Sequence, residues 1–78
     1  MITMNIDKEL NLIGLRCPEP IMEVRKHIRK LESGNIVYIK TDDPSTTRDI
    51  PSFCRFLNHI LIKSNVSKTP YEFWIQKS

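Results

Sequence analysis

Apolar residues along this chain follow spacings that change from one segment to the next. Within residues 9–15, Leu10 and Leu12 alternate with polar positions, which predicts a short first strand. Gly14 lets the chain turn after it. From Pro18 onward the apolar spacing becomes three or four residues, which predicts an amphipathic helix that ends near Gly34. The apolar stripe of that helix consists of Ile21, Val24, Ile28 and Leu31.

The pattern in the second half of the chain predicts four further elements. Residues 36–39 form a continuous β-prone run, typical of a central strand that ends near Thr41. The polar segment 42–49 is rich in turn and capping residues and leads to a second helix, whose start Pro51 restricts. That helix is expected to carry Phe53, Leu57, Ile60 and Leu61. Residues 61–66 overlap its end with a third strand, and a final strand alternates at Tyr71, Phe73 and Ile75.

The order βαβαββ predicts an α+β two-layer sandwich, a four-stranded mixed sheet with two helices packed on one face. Strand–helix–strand connections are almost always right-handed, which places both helices on the same side. The first two strands should be parallel, so the loops after them emerge at one edge of the sheet. We expect the functional site at that edge, where Cys17 and residues 42–49 meet.

Length and composition fit one ordinary globular domain. The chain has 78 residues, of which 40% are hydrophobic and 27% are charged, so we expect a single domain over residues 1–78 with a modest core. Residues 1–8 are expected to be a loosely ordered N-terminus. We see no long apolar run of the kind found in signal peptides or membrane spans, which predicts a cytoplasmic protein without membrane contact.

The formal net charge of +3 leaves two interpretations open. It is compatible with acidic partners and equally with a charge that only maintains solubility. Four cations cluster on the later turns of the first helix, where they also complement its dipole; they are Arg25, Lys26, Arg29 and Lys30.

Cys17 is the most informative residue of the chain. It directly precedes Pro18 and Pro20, and proline is tolerated in the first turn of a helix, so the thiol lies at a helix start. Free N–H groups at a helix N-terminus and a cationic neighbour such as Arg16 favour the thiolate, which is the nucleophilic form. The competing interpretation is a small, inert cysteine that fills space; the polar and charged surroundings favour reactivity.

Other chemistry-bearing residues favour structural roles. His27 and His59 are not adjacent to a cysteine in sequence, so neither is expected to act as a catalytic base. Asp42 and Asp43 could form a carboxylate pair or bind a hard cation, but their surroundings favour turn formation and helix capping. Cys54 lies within the second helix and is expected to pack as a small hydrophobe. Trp74 suits a partner contact and a structural position equally.

The chain resembles the TusA sulfur carriers, within the wider SirA-like group. The resemblance covers residues 10–77 and rests on four ordered motifs. These are Gly-Leu-Arg-Cys-Pro-Glu-Pro at 14–20, Asp-Asp-Pro at 42–44, Thr-Thr-Arg-Asp-Ile-Pro at 46–51 with Phe-Cys at 53–54, and Pro-Tyr at 70–71. The Cys-Pro-x-Pro element alone indicates the broad group, whereas the segment 46–54 indicates the members that act in tRNA thiolation.

The resemblance implies that Cys17 forms a cysteine persulfide. It would accept sulfur from an IscS-type cysteine desulfurase and pass it to a TusBCD-like relay with a TusD-type acceptor cysteine, for the 2-thio group of a modified wobble uridine in tRNA. A branch toward molybdenum-cofactor synthesis is also known in the family. The motif residues that support Cys17 are then Arg16, Pro18, Glu19 and Pro20.

A carrier of this kind acts with its partners rather than as an independent enzyme. It needs no metal and no organic cofactor, and we expect a monomer that does not bind nucleic acid tightly. A rim of exposed residues around the thiol is the expected docking surface, for which we nominate Glu19, Arg25, Asp43, Arg48 and Phe56.

Two alternatives come from other classes of protein. The basic helix is compatible with a small nucleic-acid-binding module, whose affinity would depend steeply on salt. A thiol redox protein is the other alternative, although no resolving cysteine is evident beside Cys17.

Overall fold

The computed structural model describes residues 5–78 and confirms the predicted order of elements. The elements are β1 (Lys8–Asn11), α1 (Glu19–Arg29), β2 (Ile36–Thr41), α2 (Thr46–Phe56), β3 (Ile60–Asn65) and β4 (Tyr71–Gln76). The strands form one sheet in the order β1-β2-β4-β3, in which β1 and β2 are parallel and the other pairs are antiparallel. The fold is therefore the expected α+β sandwich with a mixed four-stranded sheet.

One face of the sheet packs against both helices. On the central strands β2 and β4, alternate residues point to that face, and Val37 opposes Ile75 while Ile39 opposes Phe73. All four side chains are fully buried. The helices add Val24 and Ile28 from α1 and Ile50, Phe53 and Cys54 from α2 to the same core. Burial of such side chains contributes roughly 1.5–3 kcal/mol each, so this core holds the layers together.

The opposite face of the sheet is polar and more open. Tyr38 and Trp74 oppose each other on β2 and β4, and their ring centroids lie 4.9 Å apart. The Lys63 ammonium lies 5.1 Å from the Trp74 ring, and the Tyr38 hydroxyl donates to Glu72. Burial and this hydrogen bond raise the pKa of Tyr38 to about 12. Trp74 therefore packs against side chains of its own sheet.

The first strand is shorter and earlier than predicted. It covers Lys8–Asn11 instead of residues 9–15, because the chain turns at Gly14, whose φ of +94° suits glycine. Of the segment expected to be loosely ordered, residues 1–4 lie outside the described part of the chain. Asp7 exchanges two 2.8 Å hydrogen bonds with Ile36, from its N–H to the Ile36 carbonyl and from the Ile36 N–H to its carboxylate. Lys8, which was also expected to be loosely ordered, is the first residue of β1.

Both helix ends also differ from the prediction. The first helix stops at Arg29 rather than near Gly34, because Lys30 and Leu31 donate to carbonyls three residues back in a tightened last turn. The second helix stops at Phe56, so Leu57 follows it, and Ile60 and Leu61 belong to β3. The turn between them includes Asn58 at a φ of 61°.

The start of α2 was predicted too late. It begins at Thr46, so residues 46–49 are helical and Pro51 lies inside the helix. The Thr46 and Thr47 hydroxyls donate to the Asp43 and Pro44 carbonyls at 2.6 and 2.8 Å, which builds the first turn ahead of the proline. Pro51 lacks the N–H that would bond to Thr47, yet the helix continues past it.

Neither helix is long and apolar enough to cross a bilayer, as judged over the residues that the structure describes.

Candidate functional site

Cys17 lies on the loop between β1 and α1, two residues before the helix begins. Its thiol is exposed and free. Pro18 is the capping residue of α1, Glu19 is the first helical residue and Pro20 the second. The thiol therefore lies at the N-terminus of α1 and is open to solvent.

The helix start offers fewer free N–H groups than expected from the sequence. Pro18 and Pro20 have none, and the Glu19 N–H donates to the Arg16 carbonyl at 2.9 Å. The electrostatic contribution of α1 to the sulfur is therefore smaller than expected, since it comes mainly from unpaired N–H groups of the first turn.

Two neighbouring carboxylates at the end of β2 hold the Cys17 loop. The Cys17 N–H donates to Asp43 Oδ2 at 2.7 Å. Asp42 Oδ1 accepts from the Gly14 N–H and from Arg16 Nη1, both at 2.9 Å. Because β1 and β2 are parallel, their loops meet at one edge, and the two aspartates fix the thiol-bearing loop to the sheet.

Asp43 also shapes the loop that leads into α2. Its carboxylate accepts the Ser45 N–H at 3.1 Å and the Ser45 hydroxyl at 2.9 Å. The turn chemistry favoured from sequence is therefore present. The hydrogen bond from the Cys17 backbone to the same carboxylate was not predicted from sequence.

Arg16, which the sequence suggested as a cationic neighbour of the thiol, is paired with a carboxylate. Its guanidinium forms an ion pair with Asp42 and also donates to the Leu15 carbonyl at 3.0 Å. Its charge is therefore compensated by a carboxylate, and its contribution is to fix the loop.

Asp49 of α2 is the side chain that approaches the sulfur. Cys17 Sγ lies 3.9 Å from Asp49 Oδ2, within reach of an S–H···O hydrogen bond, and Asp49 Oδ1 lies 3.9 Å from Arg48 Nε. From sequence, Asp49 was predicted only as part of a motif. The signal that could have identified it is the same-edge placement of the two loops, since Asp49 lies in the first turn of the helix that starts there.

An apolar hollow of about 440 Å³ lies beside the thiol. It is lined by Ile21, Asp49, Ser52, Phe53 and Phe56. Asp49 belongs both to the hollow and to the surroundings of the sulfur, and Phe56 is 85% exposed. A partner that reaches Cys17 would meet this surface next to it.

The nominated docking residues fall into two groups. Glu19, Arg25, Arg48 and Phe56 are exposed. Asp43 is only 6% exposed, and Cys17 and Ser45 already occupy its carboxylate. We therefore assign Asp43 to the support of the loop rather than to the docking surface.

Both histidines lie away from the helix starts. His27 is the ninth residue of α1, about 12 Å along the helix axis from Glu19, and burial together with Lys8 lowers its pKa. His59 follows α2, with its ring centroid 5.7 Å from that of Phe53. Within residues 5–78, no group of three or more histidine, cysteine or acidic side chains could hold a metal ion.

Cys54 differs from Cys17 in burial and therefore in reactivity. It is buried in the core, and this burial raises its pKa to about 11. At pH 7 such a thiol is thiolate in about one molecule in ten thousand. We predict that iodoacetamide alkylates only Cys17 in the folded protein, and both cysteines in urea, as measured by intact mass and peptide mapping. Comparable rates for both thiols in the folded protein would contradict this assignment.

The contribution of Asp42 and Asp43 to the stability of the Cys17 loop should decrease in acid. The Gly14 N–H and Arg16 lower the pKa of Asp42 from its ordinary 3.8, and the backbone and hydroxyl of Ser45, then Cys17, lower that of Asp43. Carboxylates with a lowered folded pKa stabilise the protein above their unfolded value, and this stabilisation is lost as the pH falls through the folded value.

We therefore expect the free energy of unfolding to decrease below about pH 4. In urea titrations, the double variant Asp42→Asn/Asp43→Asn should be less stable near neutral pH and should lose less stability in acid than the wild type. Equal losses in both proteins would show that these two carboxylates are not responsible.

Comparison with known protein families adds one finding. The family model described as sulfurtransferase TusA matches residues 8–77, which includes both cysteines and every residue of the site.

Proposed function

The chain belongs to the TusA sulfurtransferase family, and on this basis we propose that it carries sulfur as a persulfide on Cys17. The observation that carries this assignment is the contrast between its two cysteines. Cys17 is exposed on an anchored loop, whereas Cys54 is buried in the core. Only the first can meet the sulfur of another protein without unfolding.

Sulfur uptake on Cys17 is a thiol–persulfide exchange. The Cys17 thiolate attacks the terminal sulfur of a donor persulfide, a new S–S bond forms, and the bond to the donor cysteine breaks. The donor cysteine leaves as a thiolate, and Cys17 becomes a persulfide. Release repeats the step, because an acceptor thiolate attacks the terminal sulfur and Cys17 leaves as a thiolate.

Asp49 and Asp43 would assist this exchange in different ways. The Asp49 carboxylate, 3.9 Å from the sulfur, can accept the S–H hydrogen bond of the resting thiol and so orient the side chain before its proton is lost. Asp43 fixes the backbone through the Cys17 N–H. Precise placement lowers the entropic cost of bringing two sulfur atoms into line.

The proposed partners follow from the family. The donor is an IscS-type cysteine desulfurase, and the acceptor is a TusD-type cysteine of a TusBCD-like complex. The sulfur is destined for the 2-thio group of a wobble uridine in tRNA, with molybdenum-cofactor synthesis as a possible second branch, and the transfer takes place in the cytoplasm. The protein acts as a carrier rather than as an independent enzyme.

Four exposed residues around the thiol form the proposed docking rim, now without Asp43. They are Glu19, Arg25, Arg48 and Phe56. Charged residues at a rim mainly affect the rate of association, whereas the exposed ring of Phe56 beside the apolar hollow can be buried by a partner.

The proposed function is tested by incubating the wild-type protein with an active cysteine desulfurase and cysteine, followed by intact-mass measurement without reductant. We expect a gain of one sulfur atom that a reducing thiol removes. A persulfide formed in this way should then pass its sulfur to an acceptor complex. No gain with a desulfurase that is shown to be active would refute the carrier assignment.

A further inference from the structure

A second cavity lies toward the C-terminal end of α1, whereas Cys17 lies at the N-terminal end of that helix. It has a volume of about 260 Å³ and lies between the last turns of α1, the segment after α2 and Lys77. With a rise of about 1.5 Å per residue, Arg29 at the end of α1 is roughly 15 Å along the helix axis from Glu19 at its start. The cavity therefore lies away from the thiol itself, although Arg25 of the proposed docking rim and Phe53 of the apolar hollow also line it.

The charged side chains that line this cavity are all cationic. They are Arg25, Arg29 and Lys77, and among residues 5–78 no acidic residue lines it. The Lys77 ammonium donates to the Leu31 and Arg29 carbonyls at 2.5 and 3.3 Å. Its positive charge is therefore used to stabilise the negative C-terminal end of the α1 dipole.

The two arginines have no such internal partner. The ion pairs found within residues 5–78 are Arg16–Asp42, Lys26–Glu23 and Arg48–Asp49, and none of them includes Arg25 or Arg29. Arginine presents several N–H donors in a planar fork that matches a carboxylate. Arg25 and Arg29 lie four residues apart and so project from the same side of α1.

The floor of the cavity is apolar. It consists of the buried Ile28 and Phe53 together with Leu57, which is 42% exposed. The His59 ring adjoins Phe53, and its Nδ1 accepts the Ser78 N–H at 3.3 Å. In the neutral ring the proton is then on Nε2, which remains a donor. Burial and Lys77 lower the pKa of His59, which favours this neutral form.

We propose that this cavity binds a small carboxylate that carries one apolar or aromatic group, with the carboxylate on Arg25 and Arg29 and the apolar group on Phe53 and Leu57. Typical ligand cavities measure about 300–1,000 Å³. A volume of about 260 Å³ accommodates one ring or one side chain rather than a nucleotide. The same chemistry occurs in a free aromatic acid and at the C-terminus of a peptide that ends in an apolar residue.

The test is a calorimetric titration of the full chain with N-acetyl-phenylalanine and with its uncharged amide. We expect the acid to bind, and the amide to bind about tenfold more weakly or less, because the amide cannot form charge-assisted hydrogen bonds with arginine. Equal affinities, or no binding of the acid at millimolar concentration, would overturn the proposal.

Two variants make this test specific to the cavity. Arg29→Gln should weaken binding of the acid by about tenfold. Lys30→Gln removes the same charge at the next residue, which directly follows α1 and does not line the cavity, and should leave affinity unchanged. Equal loss in both would indicate a general attraction to the basic helix and would refute the site.

A third ligand distinguishes the two sources of the carboxylate. If a tetrapeptide that ends in phenylalanine binds more tightly than N-acetyl-phenylalanine, the cavity recognises a peptide end; otherwise it recognises the free acid. Arg29→Gln should still accept sulfur on Cys17, since Arg29 lies outside the sulfur-transfer site. Failure of this inference and failure of the carrier assignment can therefore be told apart.

Discussion

Replacing Cys17 by serine is expected to abolish sulfur uptake completely. A serine hydroxyl at this position cannot form the S–S bond of a persulfide, and the side chain is exposed, so the fold should remain intact. In intact-mass spectra taken after incubation with a cysteine desulfurase and cysteine, the variant should show no gain of sulfur. The loss should be total rather than partial, because no other described cysteine is accessible.

Cys54→Ala is the matched control for this experiment. Cys54 is buried and its pKa is raised to about 11, so its removal should leave sulfur uptake unchanged. The variant should lose some stability, since it removes a buried sulfur from the core. A gain of sulfur that persists in Cys17→Ser and disappears in Cys54→Ala would reverse the assignment of the two cysteines.

The central sheet could be predicted from sequence because its signals are local. The β-prone run of β2 and the alternation of β4 reflect burial on one face, and burial on one face has a period of two. The ends of the helices could not be predicted in the same way. Ile60 and Leu61 fit a helical spacing and a strand equally well, and the turn at Asn58 decides between them.

The site was predictable in position but not in its contacts. Cys17 precedes a proline-marked helix start, and parallel strands bring two loops to one edge, so the sequence indicated where the thiol lies. The contacts that fix it join residues 26 to 32 positions apart, from Cys17 to Asp43 and from Cys17 to Asp49. Side-chain partners at such distances depend on the tertiary fold, and for the same reason the pairing of Arg16 with Asp42 was not predicted.

Replacement by alanine should affect stability at one phenylalanine and sulfur transfer at another. Phe73 is fully buried between the sheet and the helices, whereas Phe56 is 85% exposed beside the thiol. Phe73→Ala should cost about 3–5 kcal/mol, because it removes apolar contacts and leaves a cavity. A chain of 78 residues has a total stability of only about 4–12 kcal/mol, so this variant should lose a large fraction of its stability.

Phe56→Ala should change the free energy of unfolding by no more than about 0.5 kcal/mol, because little apolar surface is removed from the core. It should instead slow the transfer of sulfur between Cys17 and its partners, since Phe56 belongs to the proposed docking rim. Urea unfolding can be followed by the fluorescence of Trp74, the chain's single tryptophan, and transfer by intact mass over time. If Phe56→Ala left transfer rates unchanged, Phe56 would be removed from the rim. A strong loss of stability in Phe56→Ala would mean that its ring packs against the fold.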